Sequence, residues 1–395
     1  MTHTDFIPYG RQSISEADIA AVVKSLRSDF LTQGPCVSEF ENAVATKVGA
    51  SYGVAANSAT SALHLACLAL GVGTGDRVWT SPNTFIASAN CARYCGASVD
   101  FVDIDPRTYN MCANKLAQKL QAAKLTDTLP KVVIPVHFAG QSCDMAAIYA
   151  LSKAYGFRII EDASHAIGAT YQGGQVGNGK YSDICVFSFH PVKIITTAEG
   201  GMAVTNNEQL AKHMRTHASQ GTTKSPDELT QQPGDWYYEQ HTLGFNYRMT
   251  ELQAALGLAQ LSHLDDFIER RHQQFEHYKT LLKNFPITLP YQSEDNYSSL
   301  HLYPILLPEH NKSARKGVFD VLRHAGIGAQ VHYIPVHSQP YYKQLGFNDG
   351  DFPVAEDYYA RTLSLPLFTD LTYAQQERVA LILKHALIAN RVMRA

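Results

Sequence analysis

The chain has 395 residues, of which 45% are hydrophobic and 17% are charged, and its formal net charge is −3. The length exceeds what one ordinary core covers and predicts two domains, and the composition is that of a globular protein rather than a disordered or fibrous one. The charge is nearly balanced and shows no long basic run, which argues against a nucleic-acid partner.

Targeting and redox signals are weak throughout the chain. The opening residues, MTHTDFIPYGRQ, lack a basic region followed by an apolar stretch, and no segment reaches the roughly 20 apolar residues that span a bilayer. We therefore expect a cytoplasmic protein with no membrane partner. The seven cysteines stand singly without a CxxC pair, so we expect reduced thiols rather than disulfides or a zinc site.

The N-terminal residues predict an arm that precedes the main sheet. A helix is expected to open at Ser15, with Asp18 three residues later completing a capping box. We expect this arm to contribute to a site or to a subunit contact.

Between about residue 50 and residue 205, short β-branched or aromatic runs alternate with longer helical stretches. This alternation is typical of βα units that build a parallel sheet. The predicted strands are Tyr52 to Ala56, Arg77 to Thr80, Val99 to Asp103, Val132 to His137, Arg158 to Glu161, Ile184 to Ser188 and Met202 to Thr205. We therefore predict an α/β fold whose large domain holds a mostly parallel seven-stranded sheet.

The last third of the chain predicts a connecting helix and a smaller α/β domain. Leu252, Leu256, Ala259 and Leu261 recur at helical spacing and predict one long helix, with room for a kink, to about Phe285. The later elements are a strand from His301 to Leu307, a helix from Ser313 to Ala325, a strand from Gly328 to Tyr333 and a helix after Thr372. We place the arm and large domain in residues 1–255, and the connecting helix and small domain in residues 256–395.

The segment SFHPVKIITTAEGG places Lys193 in a polar loop after a buried strand. Such a position allows solvation to be controlled and the pKa of the lysine to fall, as a Schiff-base lysine requires. A single lysine in a loop is usually a surface residue, so the interpretation depends on the groups around it.

Asp162 ends another predicted strand, at the sheet edge where α/β proteins place their sites. A carboxylate there can hold a pyridinium nitrogen protonated, which makes the ring an electron sink, and His165 is near enough to touch the ring or its phenolic oxygen. In the alternative interpretation Asp162 caps a turn and His165 packs in the core. The presence of Lys193 downstream favours the first interpretation.

Phosphate-binding groups are predicted where a strand passes into a helix. Residues 57–62, NSATSA, would present free N–H groups and hydroxyls at a helix N-terminus, and Ser188 would add a hydroxyl. Phe85 begins a predicted helix beyond a strand end and could stack on a ring. Ordinary helix capping and core packing remain the alternatives.

Five motifs occur together in a specific order: NSATSALHLA, TFIASANCARYCGA, EDASHAIGA, SFHPVKIITTAEGG and FNYRMTELQAALGLAQL. In this order the chain resembles the DegT/DnrJ/EryC1/StrS sugar aminotransferases, a branch of the fold-type I pyridoxal-phosphate enzymes, over nearly its whole length. The resemblance implies pyridoxal 5'-phosphate as cofactor, bound by the backbone of Ala59 and Thr60, by Ser188, Phe85 and Asp162, and by Lys193 as a Schiff base.

The same resemblance implies a shared site. In related enzymes the asparagine of the FNYRM segment reaches the cofactor phosphate of the neighbouring subunit, so Asn246 would complete the site of a second copy. A two-fold homodimer is then expected.

Finer details, among them SDFLTQGP, AGQSCD and GIGAQVHYIPVHSQPYY, resemble the branch of the family that acts in pseudaminic acid biosynthesis. That branch implies a UDP-linked 4-keto sugar as amino acceptor, L-glutamate as donor and 2-oxoglutarate as the second product. Its sugar-nucleotide pocket would be lined by Tyr9, Asp29, Phe30, Leu31, Thr32, Gln330, Val331, His332 and Tyr333, and loop or strand packing is the alternative for each of them.

Four alternatives follow from the same residues. A sugar dehydratase of this fold would carry histidine in place of Lys193, and a ligand-sensing regulator would need a basic DNA-binding module, whereas only a short, nearly neutral arm precedes the fold. His332 and His337 lie on an extended segment without a carboxylate, which argues against a metal. An aminotransferase for another UDP- or dTDP-linked keto sugar stays open, because pocket shape rather than motif decides the sugar.

Overall fold

The computed structural model describes residues 6–394. The α-helices of this range are α1 (Glu16–Leu26), α2 (Pro35–Val48), α3 (Ala59–Ala69), α4 (Ala87–Tyr94), α5 (Ala113–Leu125), α6 (Met145–Tyr155), α7 (Glu208–Ala218), α8 (Glu251–Leu261), α9 (Leu264–Leu282), α10 (Arg315–His324), α11 (Pro340–Lys343), α12 (Pro353–Arg361) and α13 (Tyr373–Ala389). Short 3-10 helices lie at Phe138–Gly140, Glu309–Ala314 and Val336–Ser338.

The strands of the same range are mostly short. They are β1 (Ile7–Pro8), β2 (Tyr52–Ala56), β3 (Arg77–Thr80), β4 (Ser98–Phe101), β5 (Val132–Ile134), β6 (Arg158–Asp162), β7 (Thr170–Tyr171), β8 (Gly174–Gln175), β9 (Ile184–Ser188), β10 (Gly201–Thr205), β11 (Thr222–Thr223), β12 (Glu239–Gln240), β13 (Asn296–Tyr297), β14 (Tyr303–Leu306), β15 (Ile327–Gly328) and β16 (Thr362–Leu365).

Seven of these strands form the main sheet, in the order β2-β10-β9-β6-β5-β3-β4. The strands from β9 to β4 pair in parallel, whereas β10 runs antiparallel to both β2 and β9. The predicted α/β fold with a mostly parallel seven-stranded sheet is therefore confirmed.

Helices cover both faces of this sheet. Val186 of β9 packs in a core with α3, α4 and α7, while the next residue, Phe187, packs in a core with α2 and α8. Successive side chains of a strand point to opposite faces, so a strand covered on both sides needs a continuous apolar run. All five residues of β9 are buried accordingly.

The strand bounds differ from the predicted ones where a special residue intervenes. Strand β5 stops at Ile134 rather than at His137, because Pro135 has no N–H to donate to the ladder. Pairing reappears only as an isolated bridge between Val136 and Asp162. Strand β4 begins and ends earlier than predicted, at Ser98–Phe101, while β6 extends to include Asp162.

The N-terminal helix begins as predicted. Ser15 Oγ accepts from the N–H of Asp18 at 3.2 Å, and Asp18 Oδ2 accepts from the N–H of Ser15 at 2.7 Å, so the capping box is complete. Gln260 of α8 donates to Asp18 Oδ2 at 2.8 Å and to the carbonyl of Ser13 at 2.9 Å. These bonds fix the arm on α8.

Two helices occur where one long connecting helix, with room for a kink, is predicted. Helix α8 ends at Leu261 and α9 begins at Leu264. The Ser262 hydroxyl bonds back to the Ala259 carbonyl at 2.6 Å, and such side-chain bonds compete with the helical ladder. Helix α8 packs on α1 and α2, whereas α9 joins the C-terminal core. The division after residue 255 stays a prediction.

The C-terminal part also differs in detail from the prediction. The strand expected from His301 to Leu307 is the shorter β14, and it pairs with β16, which the sequence analysis missed. The helix expected from Ser313 is a 3-10 segment followed by α10. The strand expected from Gly328 to Tyr333 ends at Gly328, because its partner β1 has only two residues. Beyond Gly328, Gln330 pairs with Ser364 in an isolated bridge, and the segment from Gln330 to Tyr333 lines a groove.

Candidate active site

A cavity of about 420 Å³ lies at the carboxyl ends of β6 and β9. Polar and aromatic groups from distant parts of the chain line it: Tyr9, Ser58, Ala59, Thr60, Leu63, Thr84, Phe85, Ala87, Ser88, Val136, Asp162, Ser164, His165, Ser188, His190, Val192, Lys193, Glu199, Gly200, His332 and Tyr333. This is the edge of an α/β sheet at which ligands bind.

A second, more open groove of about 520 Å³ adjoins the cavity. The two share Tyr9, Thr84, Phe85, His332 and Tyr333. The groove continues over Gln330 and Val331 and over the segment from Gln339 to Tyr342. A ligand longer than the inner cavity can therefore extend into it.

Lys193 is the amine of the inner cavity. It lies in the loop between β9 and β10, and its backbone N–H donates to the His190 carbonyl at 2.9 Å. Burial lowers the pKa of Lys193 to about 8, against the opposing effect of the negative charge of Asp162. A lysine with this pKa has a substantial neutral, nucleophilic fraction near physiological pH.

Asp162, the last residue of β6, is held by three donors. Its Oδ2 accepts from Ser88 Oγ at 2.6 Å, and its Oδ1 accepts from the hydroxyl and the N–H of Ser164 at 2.6 and 3.1 Å. Ser88 Oγ also lies 2.7 Å from Thr84 Oγ1. The residue is only 4% exposed, and these bonds fix the orientation of its carboxyl group at the cavity wall.

The N-terminus of α3 presents two free donors. Ser58 is the N-cap, and its hydroxyl accepts from the N–H of Ser61 while its carbonyl accepts from the N–H of Ala62. The first N–H groups of a helix have no partner inside it, so those of Ala59 and Thr60 remain for an anion. A helix N-terminus of this kind favours phosphate.

Gly201 allows this helix to start close to the sheet. It pairs with Ser188 on one side and with Ala56 on the other. A Cβ atom at this position would lie 2.5 Å from the Ala59 nitrogen, so only glycine fits without displacing the helix. The pairing also places Ser188, at the end of β9, beside the same helix N-terminus.

His165 forms hydrogen bonds through both of its ring nitrogens. Its Nδ1 accepts from the N–H of Ala139 at 3.3 Å, and its Nε2 lies 3.1 Å from Tyr333 Oη. Burial, followed by the nearby Lys193 and His332, lowers the pKa of His165 well below its usual value. The ring is therefore neutral.

The outer side of the cavity is aromatic. Phe85 is 58% exposed, with its ring centroid 6.3 Å from that of Tyr333. It lies two residues before α4 rather than inside that helix. His332 bonds to Ser364 Oγ at 2.8 Å through Nδ1, and burial lowers its pKa to about 3. The Tyr9 ring lies 5.1 Å from that of His332.

Some of the predicted residues lie outside the cavity of their own chain. The segment from Asp29 to Thr32, which includes Phe30 and Leu31, is exposed and contacts the start of α8, where Leu31 accepts from the N–H of Glu251 at 3.0 Å. Asn246 is also exposed, and its carbonyl accepts from the Asn57 side chain at 3.4 Å. Neither segment lines the cavity that contains Lys193.

The two residues that donate to Asp162, Ser88 and Ser164, were not predicted from the sequence. Ser164 follows Asp162 at the spacing of a local Asx-type bond, so that signal was available. Ser88 had no local signal, since it is 74 residues from Asp162 in the chain. His190 and Glu199, which also line the cavity, lie within the predicted lysine motif but were not singled out.

In residues 6–394 no three His, Cys, Asp or Glu side chains cluster to hold a metal ion, and His337 Nε2 pairs with Glu356 at 2.9 Å. No helix of that range is both long enough and apolar enough to cross a bilayer.

Comparison with known proteins agrees with this geometry. Residues 12–384 match the DegT/DnrJ/EryC1/StrS aminotransferase family. The chain is 41% identical to the spore coat polysaccharide biosynthesis protein SpsC of Bacillus subtilis, over 93% of each chain. It is 38% identical to the UDP-4-amino-4,6-dideoxy-N-acetyl-β-L-altrosamine transaminase of Campylobacter jejuni, over 92% of this chain and 93% of the other.

A solved structure is also similar along the whole chain. Helicobacter pylori PseC, an aminotransferase involved in the biosynthesis of pseudoaminic acid, matches with a TM-score of 0.89 and 31% identity, over 97% of this chain and 100% of that one. The cavity and these matches define a pyridoxal-phosphate-dependent sugar aminotransferase. The chain belongs to the DegT/DnrJ/EryC1/StrS aminotransferase family.

The residues of the cavity fit the cofactor of this family. The free N–H groups of Ala59 and Thr60 suit its phosphate, the fixed carboxylate of Asp162 suits its ring nitrogen, and the buried amine of Lys193 suits its aldehyde. Pyridoxal phosphate supplies an aldehyde that takes up an amino group and a ring that accepts an electron pair. The predicted cofactor is thus confirmed, while the role of each residue remains a proposal.

Proposed function

We propose that this protein transfers an amino group from L-glutamate to C4 of UDP-2-acetamido-2,6-dideoxy-β-L-arabino-hexos-4-ulose. The products would be 2-oxoglutarate and UDP-4-amino-4,6-dideoxy-N-acetyl-β-L-altrosamine, an intermediate of pseudaminic acid biosynthesis. The transaminase of Campylobacter jejuni, at 38% identity over nearly the full length, supports this choice. A cytoplasmic location is part of the same proposal.

The observation that carries the proposal is the continuity of the inner cavity with the groove. Lys193 and Asp162 line the inner cavity, and the groove adjoins it at Tyr9 and Tyr333. Glutamate is small enough for the inner cavity. A nucleotide-linked sugar needs the additional length of the groove, with its keto carbon at the inner end.

Lys193 would move the protons of the reaction. Because burial lowers its pKa to about 8, neutral Nζ can accept the proton that leaves Cα of glutamate and later deliver a proton to C4 of the sugar. Asp162, fixed by Ser88 and Ser164, would hold a proton on the ring nitrogen in both halves of the cycle.

A homodimer with a shared site is part of the proposal. An apolar stripe on one side of α1 stays exposed, formed by Ile19, Val23 and Leu26, and it continues into Phe30 and Leu31. Exposed apolar surface of this kind marks interaction sites. A second copy packed on this stripe would bring the segment from Asp29 to Thr32, and Asn246, toward the cavity of its partner.

The experiment is an acceptor comparison with isotope-labelled donor. Purified protein, pyridoxal phosphate and [¹⁵N]-L-glutamate are incubated with the UDP-linked 4-keto sugar, and the product is identified by mass spectrometry and NMR. A ¹⁵N-labelled amine at C4 with the altro configuration supports the proposal. Amination of a dTDP-linked 4-keto sugar alone would refute it.

A second candidate is an aminotransferase for a different nucleotide-linked 4-keto sugar. The observation in its favour is the 41% identity to SpsC, a spore coat polysaccharide biosynthesis protein, which exceeds the identity to the altrosamine transaminase. The same labelled-donor experiment, run with UDP- and dTDP-linked acceptors side by side, separates the two candidates.

A further inference from the structure

The short turn at Phe138–Gly140 fixes the proton of His165. Ala139 adopts a left-handed conformation, with φ at 56°, which is strained for a residue other than glycine. In this conformation its N–H donates to His165 Nδ1 at 3.3 Å. A backbone N–H can only donate, so Nδ1 must accept, and the single proton of the neutral ring resides on Nε2.

The turn itself is held by the segment from Ser299 to His301. The carbonyl of Ala139 accepts from the N–H of His301 at 2.8 Å, and that of Gly140 accepts from the N–H of Ser299 at 3.1 Å. A Cβ atom on Gly140 would lie 2.8 Å from the Leu300 nitrogen. The strained residue is therefore locked in place by the segment that enters β14.

The fixed proton of His165 determines how Tyr333 bonds. The Nε2 atom lies 3.1 Å from Tyr333 Oη, and its N–H must donate to that oxygen. The phenolic hydrogen of Tyr333 therefore points to a different acceptor. Within residues 6–394, His165 is the only hydrogen-bond partner of this hydroxyl. Burial, followed by the nearby Tyr9 and Asp162, raises the pKa of Tyr333, so the phenol keeps its hydrogen at physiological pH.

Tyr333 lies where the inner cavity meets the groove, since it lines both. A ligand that reaches Lys193 and also fills the groove spans the position of Tyr333, whereas an amino acid held in the inner cavity does not extend into the groove. Within residues 6–394 the only hydrogen-bond partner of the Tyr333 hydroxyl donates to it. The free O–H of Tyr333 is therefore available to an acceptor atom on the larger ligand.

We propose that Tyr333 is a specificity-determining residue that donates its phenolic hydrogen to an oxygen of the acceptor sugar, and that His165, oriented by Ala139, is the positioning residue that fixes the direction of this donation. This inference rests on the proposed function, because it takes the larger ligand to be a nucleotide-linked keto sugar. It also assigns His165 no proton transfer of its own, since the lone pair of Nδ1 is occupied by Ala139.

The first test is independent of any sugar. Long-range ¹H–¹⁵N spectra of the holoenzyme, with the His165 signals assigned by their loss in His165→Gln, report which ring nitrogen carries the proton. The expected result is protonation at Nε2 alone from pH 6 to pH 9. A signal for protonated Nδ1 in this range would overturn the inference.

The second test measures the reaction with L-glutamate and the reaction with the keto sugar separately. Tyr333→Phe keeps the ring and removes only the hydroxyl, and it should raise KM for the keto sugar by about three- to tenfold, while the single-turnover rate with L-glutamate changes much less. Tyr303→Phe is the matched control, because Tyr303 is a buried tyrosine of the C-terminal core whose hydroxyl has no partner within residues 6–394. An equal effect of Tyr333→Phe on both half-reactions, or none on the sugar, would contradict the assignment.

A third variant distinguishes positioning from packing. His165→Gln retains an N–H donor near the position of Nε2, and we expect a smaller increase in the KM for the sugar than with His165→Ala. A purely structural role would make the two variants equally poor. If the wild-type protein aminates none of the nucleotide-linked 4-keto sugars, the proposed function fails, and the spectra of His165 alone decide this inference.

Discussion

The hydroxyl of Ser88 donates to Oδ2 of Asp162 at 2.6 Å. Ser88 lies on α4, in the crossover that follows β3, while Asp162 is the last residue of β6. The orientation of the carboxylate at the cavity wall therefore depends on a contact between two separate βα units. Hydrogen bonds to an ionised group are stronger than neutral ones.

Ser88→Ala should weaken cofactor binding and slow turnover by about ten- to a hundredfold, because the bond to a charged group contributes about 1.5–3 kcal/mol. Ser88→Thr, which keeps the hydroxyl, should be much closer to wild type. Titration of apoprotein with pyridoxal phosphate and the kcat of each variant provide the measurement. Equal behaviour of Ser88→Ala and Ser88→Thr would mean that the hydroxyl does not orient Asp162.

Gly201→Ala should reduce the affinity for pyridoxal phosphate, since the new Cβ would lie 2.5 Å from the Ala59 nitrogen and displace the helix N-terminus. Gly73→Ala is a matched control, because no atom lies within 4 Å of a Cβ at that position. The Kd of the cofactor, measured by fluorescence quenching, should rise only in the first variant. An unchanged Kd would show that the phosphate is held elsewhere.

Cofactor uptake by the apoprotein should depend on pH through Lys193. Only the neutral amine attacks an aldehyde, and burial lowers the pKa of Lys193 to about 8, so the rate should fall about tenfold for each pH unit below that value and level off above it. Stopped-flow absorbance between pH 6 and pH 10 measures this dependence. A rate that keeps rising toward pH 10.5 would indicate an ordinary, solvated lysine.

A mixture of two impaired variants should regain activity if the site is shared between copies. In a heterodimer of Lys193→Ala and Asn246→Ala, one site combines both changes and the other has neither. Co-refolded protein should therefore recover about one quarter of wild-type activity for a two-fold dimer. Asn246→Ala alone should lose the cofactor more readily without loss of folding. If the mixed variants regain no activity beyond the sum of the two separate proteins, each site is built from one chain.

The sequence predicted the main sheet well because its strands are buried on both faces. Strands such as β9 then read as uninterrupted apolar runs bounded by turn residues. The C-terminal part was harder to predict, since β15 has only two residues and its partner β1 is more than 300 positions away in the chain. No local periodicity could show that β15 ends at Gly328.

The residues of the site also divide into those with a local sequence signal and those without one. Lys193, Asp162 and the N-terminus of α3 lie within recognisable local motifs, and the structure places all three at one cavity. The bonds of Ser88 to Asp162 and of Ala139 to His165 join segments far apart in sequence. They become visible only once the sheet order is known. Asn246 and the segment from Asp29 to Thr32 stay predictions, because their expected role requires a second copy.

The most direct test of the central claim is a visible absorption spectrum of the purified protein with pyridoxal phosphate, followed by successive additions of L-glutamate and the UDP-linked 4-keto sugar. We expect an absorption band from the cofactor attached to Lys193, its loss on addition of glutamate, and its return on addition of the sugar. Lys193→Ala should keep its fold and show neither the band nor turnover. Failure of the wild-type protein to form the band, or near wild-type turnover by Lys193→Ala, would contradict the account.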